Sequence, residues 1–444
     1  MPEFKDLFIS YGRRESLAFA ARLHQQLKLA GYDAWFDKIN IPVSEDYVER
    51  INYGIESAHN FIYVMAPHSL CSPYCLMELE YARLLGKRII PINHNVVFTT
   101  VKGQLSDAEQ QALTSFYQQH DIENPHIITY QQLLERSLAQ VGKTNWLPAK
   151  ETLSNEDCDQ LANWAKTYEN QWHHHDDLHY LTQLTLPQFG EIFDELEPVI
   201  TLIKNVITRH RDYVQQHTLF LHQALKWKKA KYIAHYLLVG REQEQAKTWL
   251  LTQFIEGEQA PCTPNTLVCD FICESRKNSE NRMTDCFISY DQKDKSYSHY
   301  ITAHLSRHGI TTWRHDKDIQ KGKIYDQVIK QGVESAKNLL FFLSPSSVES
   351  TYCYDELHYA LSHQKRIIPL LIATTPLEKI PPELRSLQYV DMVNQTIEKS
   401  MADILRILQQ DDAYFLHHRA LLLRALAWQR SDQKASFLLR GYNL

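Results

Sequence analysis

The sequence predicts an α/β chain built twice over, with two open parallel sheets that are each followed by an α-helical module. Three observations predict it. Sliding the chain on itself by 278 residues aligns Trp35 to Pro91 with Trp313 to Pro369 without a gap, and 23 of 57 positions are identical. Within each copy, short apolar runs alternate with amphipathic helical patterns, as β-α-β units require. A second offset, of 201 residues, pairs Tyr213, His217, Ala224, Leu225, Trp227, Leu237, Leu238 and Gly240 with Tyr414, His418, Ala425, Leu426, Trp428, Leu438, Leu439 and Gly441. The order is therefore A, B, A′, B′, a duplication.

The first copy can be read element by element. LFISY (7 to 11) is a short apolar strand, repeated as FISY at 287 to 290. SLAFAARLHQQLKLAG (16 to 31) is a helix with Leu17, Ala20, Ala21, Leu23 and Leu27 inward and Gly31 stopping it. AWF is a strand, and a capped helix follows from about Ser44. NFIYVMAP (60 to 67) is wholly apolar and ends in proline, the mark of a strand buried on both faces. A helix carrying Glu78 and the strand KRIIPI (87 to 92) complete the pattern. Right-handed crossovers then give an open, doubly wound, flavodoxin-like sheet with ligands at the carboxyl ends of its strands. Tyr11 and the Pro67 to Ser72 loop sit at that edge.

In module B, Tyr213, His217, Phe220, Ala224 and Trp227 step by four and three, and so do Tyr414, His418, Leu421, Ala425 and Trp428. That spacing makes an amphipathic seam, which either packs inside its own module or serves as a docking helix. Gly240 and Gly441 suit helix C-caps. The expected division is a first sheet domain with an insertion (1–150), a helical module (151–258), a linker (259–282), a second sheet domain (283–395) and a C-terminal helical module (396–444). The first half carries about 78 extra residues between its modules, within 93–212, with no counterpart to explain them.

The 444 residues suffice for several cores. With 47 basic against 53 acidic residues, the net charge of -6 offers no cationic field for a phosphate backbone, so no nucleic acid is expected as partner. No long apolar run suggests a membrane span, and MPEFKDLFISY lacks the pattern of an export signal, so a cytoplasmic chain is expected. Eight cysteines in this length read as reduced, buried thiols rather than a disulfide scaffold. Cys262, Cys269 and Cys273 form no C-x-x-C pair, and WHHHDDLH (172 to 179) lacks the spacing of a helical metal site, so no metal is expected.

The sharpest signal is SPYCLMELEYA (72 to 82), echoed by STYCYDELHYALS (350 to 362), which places a carboxylate, Glu78 or Glu356, on an otherwise apolar helix twice. Cys75 and Cys353 repeat beside it, but no histidine partner repeats with them, so packing is the expected role.

Together FISY, a tryptophan, an Asp/Lys-rich loop, GIESAHNFI or GVESAKNLL, SP-x-S, S-x-Y-C-x-x-EL and KRIIP resemble the Toll/interleukin-1 receptor (TIR) domain, over about residues 4 to 93 and 284 to 392. Within the family the chain looks like the prokaryotic kind, several of which cleave NAD+. The resemblance implies Glu78 and Glu356 as catalytic residues, and Tyr74, Tyr352, Tyr47 and Tyr325 as aromatics lining the site. Ser10, Tyr11, Ser289 and Tyr290 lie at the sheet edge, and Arg13 and Arg14 in the first copy can meet a diphosphate.

The chemistry is consistent: breaking the nicotinamide–ribose bond releases a neutral pyridine from a cation, so no general acid is required. One carboxylate can hold the ribose hydroxyls and stabilise oxocarbenium-like charge, unlike the paired carboxylates of ordinary glycoside hydrolysis. The implied function is an NAD+ glycohydrolase or cyclase, with NAD+ as substrate and no further cofactor, switched on by self-assembly with other TIR domains in defence or stress signalling. The alternative is a non-catalytic scaffold whose head-to-tail contacts propagate. A third reading has one active and one degenerate copy, since after FISY the first has Gly12, Arg13 and Arg14 and the second has Asp291, Gln292, Lys293 and Asp294.

Overall fold

The structure, a computed structural model, describes residues 3–14, 16–36, 47–94, 102–141, 147–148, 196–255, 258–318 and 325–438. The chain divides into two compact units, Met1–Leu225 with Phe254–Asn265 and Lys226–Gln253 with Thr266–Leu444.

In the first unit, strands β1 (Lys5–Ser10), β2 (Ala34–Trp35), β3 (Ala58–Met65), β4 (Arg88–Asn93) and β5 (Leu147–Pro148) form one sheet in the order β2-β1-β3-β4-β5. Every pairing is parallel, with Phe8 opposite Trp35 and Phe61. The wholly apolar run becomes β3, the central strand, as its burial on both faces requires. Helices α1 (Leu17–Leu29), α2 (Tyr47–Ser57), α3 (Pro73–Leu84), α4 (Asp107–Gln119), α5 (Tyr130–Val141), α6 (Leu196–Thr208) and α7 (Arg211–Lys229) accompany it, the unit boundary falling within α7. Leu17, Ala20, Ala21, Leu23 and Leu27 of α1 are buried in one core with Ile62, Val64, Ile90 and Ile92.

The second unit repeats the plan. Strands β6 (Thr284–Ser289), β7 (Thr312–Trp313), β8 (Ala336–Leu343), β9 (Arg366–Leu371) and β10 (Val390–Asp391) run parallel in the order β7-β6-β8-β9-β10. Its longer helices are α8 (Gly240–Leu250), α9 (Thr266–Ser279), α10 (Lys295–Arg307), α11 (Tyr325–Ser335), α12 (Thr351–Ser362), α13 (Ile397–Gln409) and α14 (Asp412–Arg430). Among the described residues no helix is long and apolar enough to cross a membrane.

Repeated residues hold both sheets the same way. Lys87 Nζ donates to the carbonyls of Glu56 (2.8 Å) and Ala58 (2.6 Å), and Lys365 Nζ to those of Glu334 (2.7 Å) and Ala336 (2.6 Å). Each lysine thus satisfies backbone acceptors where a helix hands over to the central strand. The next residue does the same for a later helix: Arg88 donates to Val206 and Arg209 carbonyls, Arg366 to Ile407 and Gln410 carbonyls. The glycine of GIES and GVES is explained by close approach. A Cβ on Gly54 would lie 2.7 Å from the Trp35 ring, and one on Gly332 2.6 Å from the Trp313 ring.

Three expectations change. Helices α6 and α13, assigned to the helical modules, belong to the sheet cores: Val199, Ile200, Ile203 and Ile207 pack with α1 and β4, and Met401, Ile404 and Leu408 with β8 and β9. The stretch expected as a linker contains α9, with Val268, Cys269, Phe271, Ile272 and Cys273 buried. Gly240 opens α8 instead of closing a helix; its counterpart Gly441 lies outside the described residues.

The two seams of module B have different fates. His217, Phe220, Ala224 and Trp227 are buried. Tyr213 meets Phe254 edge-on at 5.0 Å, and Trp227 meets Tyr232 edge-on at 4.8 Å. In α14, Tyr414 is 65% and Leu421 52% exposed.

Candidate functional site

Helix α3 brings Glu78 to the carboxyl edge of the first sheet. Pro73 at its first turn and Ser72, whose Oγ accepts from Cys75 N at 3.3 Å, fix its start just after β3 ends. Cys75 is buried and its Sγ donates to the Tyr11 carbonyl at 3.4 Å, tying α3 to the end of β1. Glu78, one turn further on, is half-buried.

Around it opens a cleft of about 1000 Å³ lined by Glu78, Tyr11, Arg13, Arg14, Tyr74 and the partly exposed Cys71, among others. Arg14 Nη1 lies 2.8 Å from His68 Nε2, and Tyr11 stacks on Phe36 at 5.2 Å. Five of the residues singled out in the first copy, Tyr11, Arg13, Arg14, Tyr74 and Glu78, therefore converge. Ser10 does not reach the cleft; it is buried, and its Oγ has no hydrogen-bond partner among the described residues. The side chain of Tyr47 lies outside the described residues.

The same motif is built differently in the second unit. Glu356 is only 7% exposed and accepts a 2.6 Å hydrogen bond from Ser289 Oγ. Burial pushes its carboxyl up to about 8, the Ser289 bond pulling it back and the Asp355 charge adding to the rise. Tyr290 is committed elsewhere, its hydroxyl donating to Asp316 at 2.9 Å and its ring stacked on His315 at 4.5 Å. The DQKD turn is fastened across the sheet edge, Asp294 accepting from Ser344 Oγ (2.6 Å) and Ser347 Oγ (2.9 Å). Tyr352 is exposed, and the Tyr325 side chain lies outside the described residues.

Sequence reading missed Lys102, Glu109 and Tyr130, which also line the first cleft and come from the unmatched insertion. One signal was present: Ser106 and Glu109 form a capping box, the spacing that marks a helix start. Cys262, Cys269 and Cys273 are buried, which drives Cys262 and Cys269 up to about 12 and Cys273 well above its ordinary value. WHHHDDLH lies outside the described residues.

A family model for the TIR domain matches residues 7–125 and 286–408. The chain belongs to the TIR domain family. It carries two TIR domains, each an open parallel α/β sheet. Among curated relatives, a stimulator of interferon genes protein from Magallana gigas is 24% identical over 132 residues, covering 28% of this chain and 31% of that protein. Toll-like receptor 6 from Homo sapiens is 27% identical over 114 residues, covering 24% of this chain and 14% of the receptor. The chain thus spans less than a third of the length of these relatives.

Among solved structures, the TIR domain of a Toll-related receptor from Hydra magnipapillata is 22% identical with a TM-score of 0.27, covering 29% of this chain and 99% of that one. A metazoan TIR-STING receptor from C. gigas, solved with 2′,3′-cGAMP, is 24% identical with a TM-score of 0.25, covering 28% of this chain and 39% of that one.

Proposed function

We propose that the chain is an NAD+ glycohydrolase or cyclase whose working site is the cleft of the first TIR domain. The observation that carries this reading is the contrast between two copies of one motif. Glu78 lines an open cleft with Arg13, Arg14 and the exposed Tyr74, whereas Glu356 is buried under a serine hydrogen bond.

In this reading the C1′–nitrogen bond of the nicotinamide riboside breaks and its electron pair leaves with the pyridinium nitrogen, which becomes neutral. The Glu78 carboxylate accepts from the ribose hydroxyls and stabilises the positive charge left on C1′. Water then attacks C1′ and releases a proton to give ADP-ribose, or an adenine nitrogen attacks to give a cyclic isomer. Arg13 and Arg14 balance the diphosphate, and Tyr74, half-exposed in the cleft wall, offers a flat face to a ring. The second domain acts as a partner in TIR–TIR contacts; its buried Glu356 favours that scaffold role. Assembly between chains raises activity and suits a defence or stress signal.

The test is product analysis by chromatography after incubating the purified chain with NAD+. Wild type is expected to release nicotinamide, Glu78→Gln to lose about 100-fold or more, and Glu356→Gln to retain turnover. Specific activity is expected to rise with protein concentration. Undiminished turnover in a folded Glu78→Gln chain overturns the assignment.

A further inference from the structure

The lobe between β4 and β5 has no counterpart in the second TIR domain, yet it is fastened to the helix that carries Glu78. Arg136 Nε and Gln140 Nε2 of α5 donate to Glu80 Oε1 of α3 at 2.6 and 3.0 Å. Ser137 Oγ donates to the Leu70 carbonyl at 3.0 Å, and Arg83 Nη2 to the Val141 carbonyl at 3.1 Å. The His120 ring lies 4.7 Å from that of Tyr81. The lobe is therefore part of the wall of the cleft.

What it presents there is an aromatic ring, a cation and the Glu109 carboxylate that holds the ring. An antiparallel bridge between Gln104 and Thr129, with Leu105 N donating to the Ile128 carbonyl at 2.9 Å, sets Lys102 and Gly103 beside Tyr130. Gly103 has φ +119, and a Cβ there would lie 3.2 Å from the Tyr130 ring, so only glycine lets the ring lie against that backbone. The Tyr130 hydroxyl donates to the Glu109 carboxylate at 3.2 and 3.4 Å, and Glu109 is held by its own bonds to Ser106 N and Oγ at 2.8 Å. A ring locked in this way meets a flat ligand with little ordering cost. Lys102, exposed, adds a third cation to Arg13 and Arg14 around the same cleft.

We propose that Tyr130 and Lys102 form a subsite for the adenine-nucleotide end of a dinucleotide, the ring against the base and the ammonium against a phosphate. The inference rests on the reading of the cleft as an NAD+ site and extends it. A cleft of about 1000 Å³ is at the upper end of small-molecule sites, roughly 300–1,000 Å³, as a ligand with two nucleotide halves needs. The second domain lacks the lobe and hence this subsite.

The experiment is calorimetric titration of the full chain with ADP and, separately, with nicotinamide mononucleotide, which lacks the adenine end. Lys102→Ala with Tyr130→Ala is expected to weaken ADP binding roughly tenfold or more and to leave nicotinamide mononucleotide within about twofold. Tyr130→Phe, which keeps the ring, is expected to retain most ADP affinity. With NAD+ as substrate, the loss in the double variant is expected in KM. Unchanged ADP affinity in the double variant, shown folded by its melting curve, overturns the subsite, as does a wild-type chain that binds no ADP. ADP binding that depends on both residues in a chain that cleaves no NAD+ upholds the subsite and overturns the cleavage reading instead.

Discussion

Ser289 donates a 2.6 Å hydrogen bond to the buried carboxyl of Glu356, while Ser10, the matching residue of the first copy, makes none among the described residues. The same pair of residue types is thus used in two ways. In the second domain it holds a carboxyl inside the protein, where the neutral acid is the favoured form.

That difference has a pH signature. The Glu356 carboxyl rises from an ordinary 4.5 to about 8 on folding, so the folded chain keeps a proton that the unfolded chain releases. Its contribution to stability is therefore full below about pH 4.5 and declines as pH rises to about 8, by at most about 1.4 kcal/mol per unit. Glu356→Gln, which mimics the neutral acid, is expected to flatten this slope and to raise Tm relative to wild type at pH 8 but not at pH 4.5. Parallel Tm–pH curves for the two proteins would refute a buried neutral carboxyl.

The repeated glycines make a prediction against helix propensity. Alanine in a helix interior is favoured over glycine by about 1 kcal/mol, yet a Cβ at Gly54 or Gly332 would press into an indole ring at 2.7 or 2.6 Å. These rings are confined, Trp35 stacked on Phe8 and Trp313 on Phe287, both at 4.6 Å. Overpacking should win, and each Gly→Ala variant is expected to lose about 1–3 kcal/mol in denaturant titration. A gain in stability would mean that the rings can move aside.

The exposed seam of α14 is expected to support self-association. Leu421 is 52% exposed where its counterpart Phe220 is 3% exposed. Leu421→Glu should lower the mass seen by light scattering at matched concentration without lowering Tm. An unchanged mass would return α14 to a role within its own unit.

The sheets and their order were legible because the strands are short apolar runs and the chain states them twice. The boundaries were less so. Helix α6 follows a long insertion, and its Val199, Ile200, Ile203 and Ile207 carry a face that suits any core; only contact with α1 and β4 assigns it to the sheet. Helix α9 lies where a linker is expected, and its Cys269 and Cys273 are buried as apolar residues on a helical face are. The convergence of Tyr11, Arg13, Arg14, Tyr74 and Glu78 was readable from the motif. The contrast between Ser10 and Ser289 was not, because the two serines stand in the same motif and only their hydrogen bonding in the fold differs.

Among the described cysteines, Cys71 alone escapes burial, and it stands in the wall of the first cleft. The others are shielded, and burial lifts Cys353 to about 12, far from the thiolate that alkylating reagents need. The molecule thus carries its own occupancy gauge. A maleimide pulse followed by peptide mass mapping reads how often the cleft is empty, and ADP should slow the labelling of Cys71 without any dye, tag or turnover.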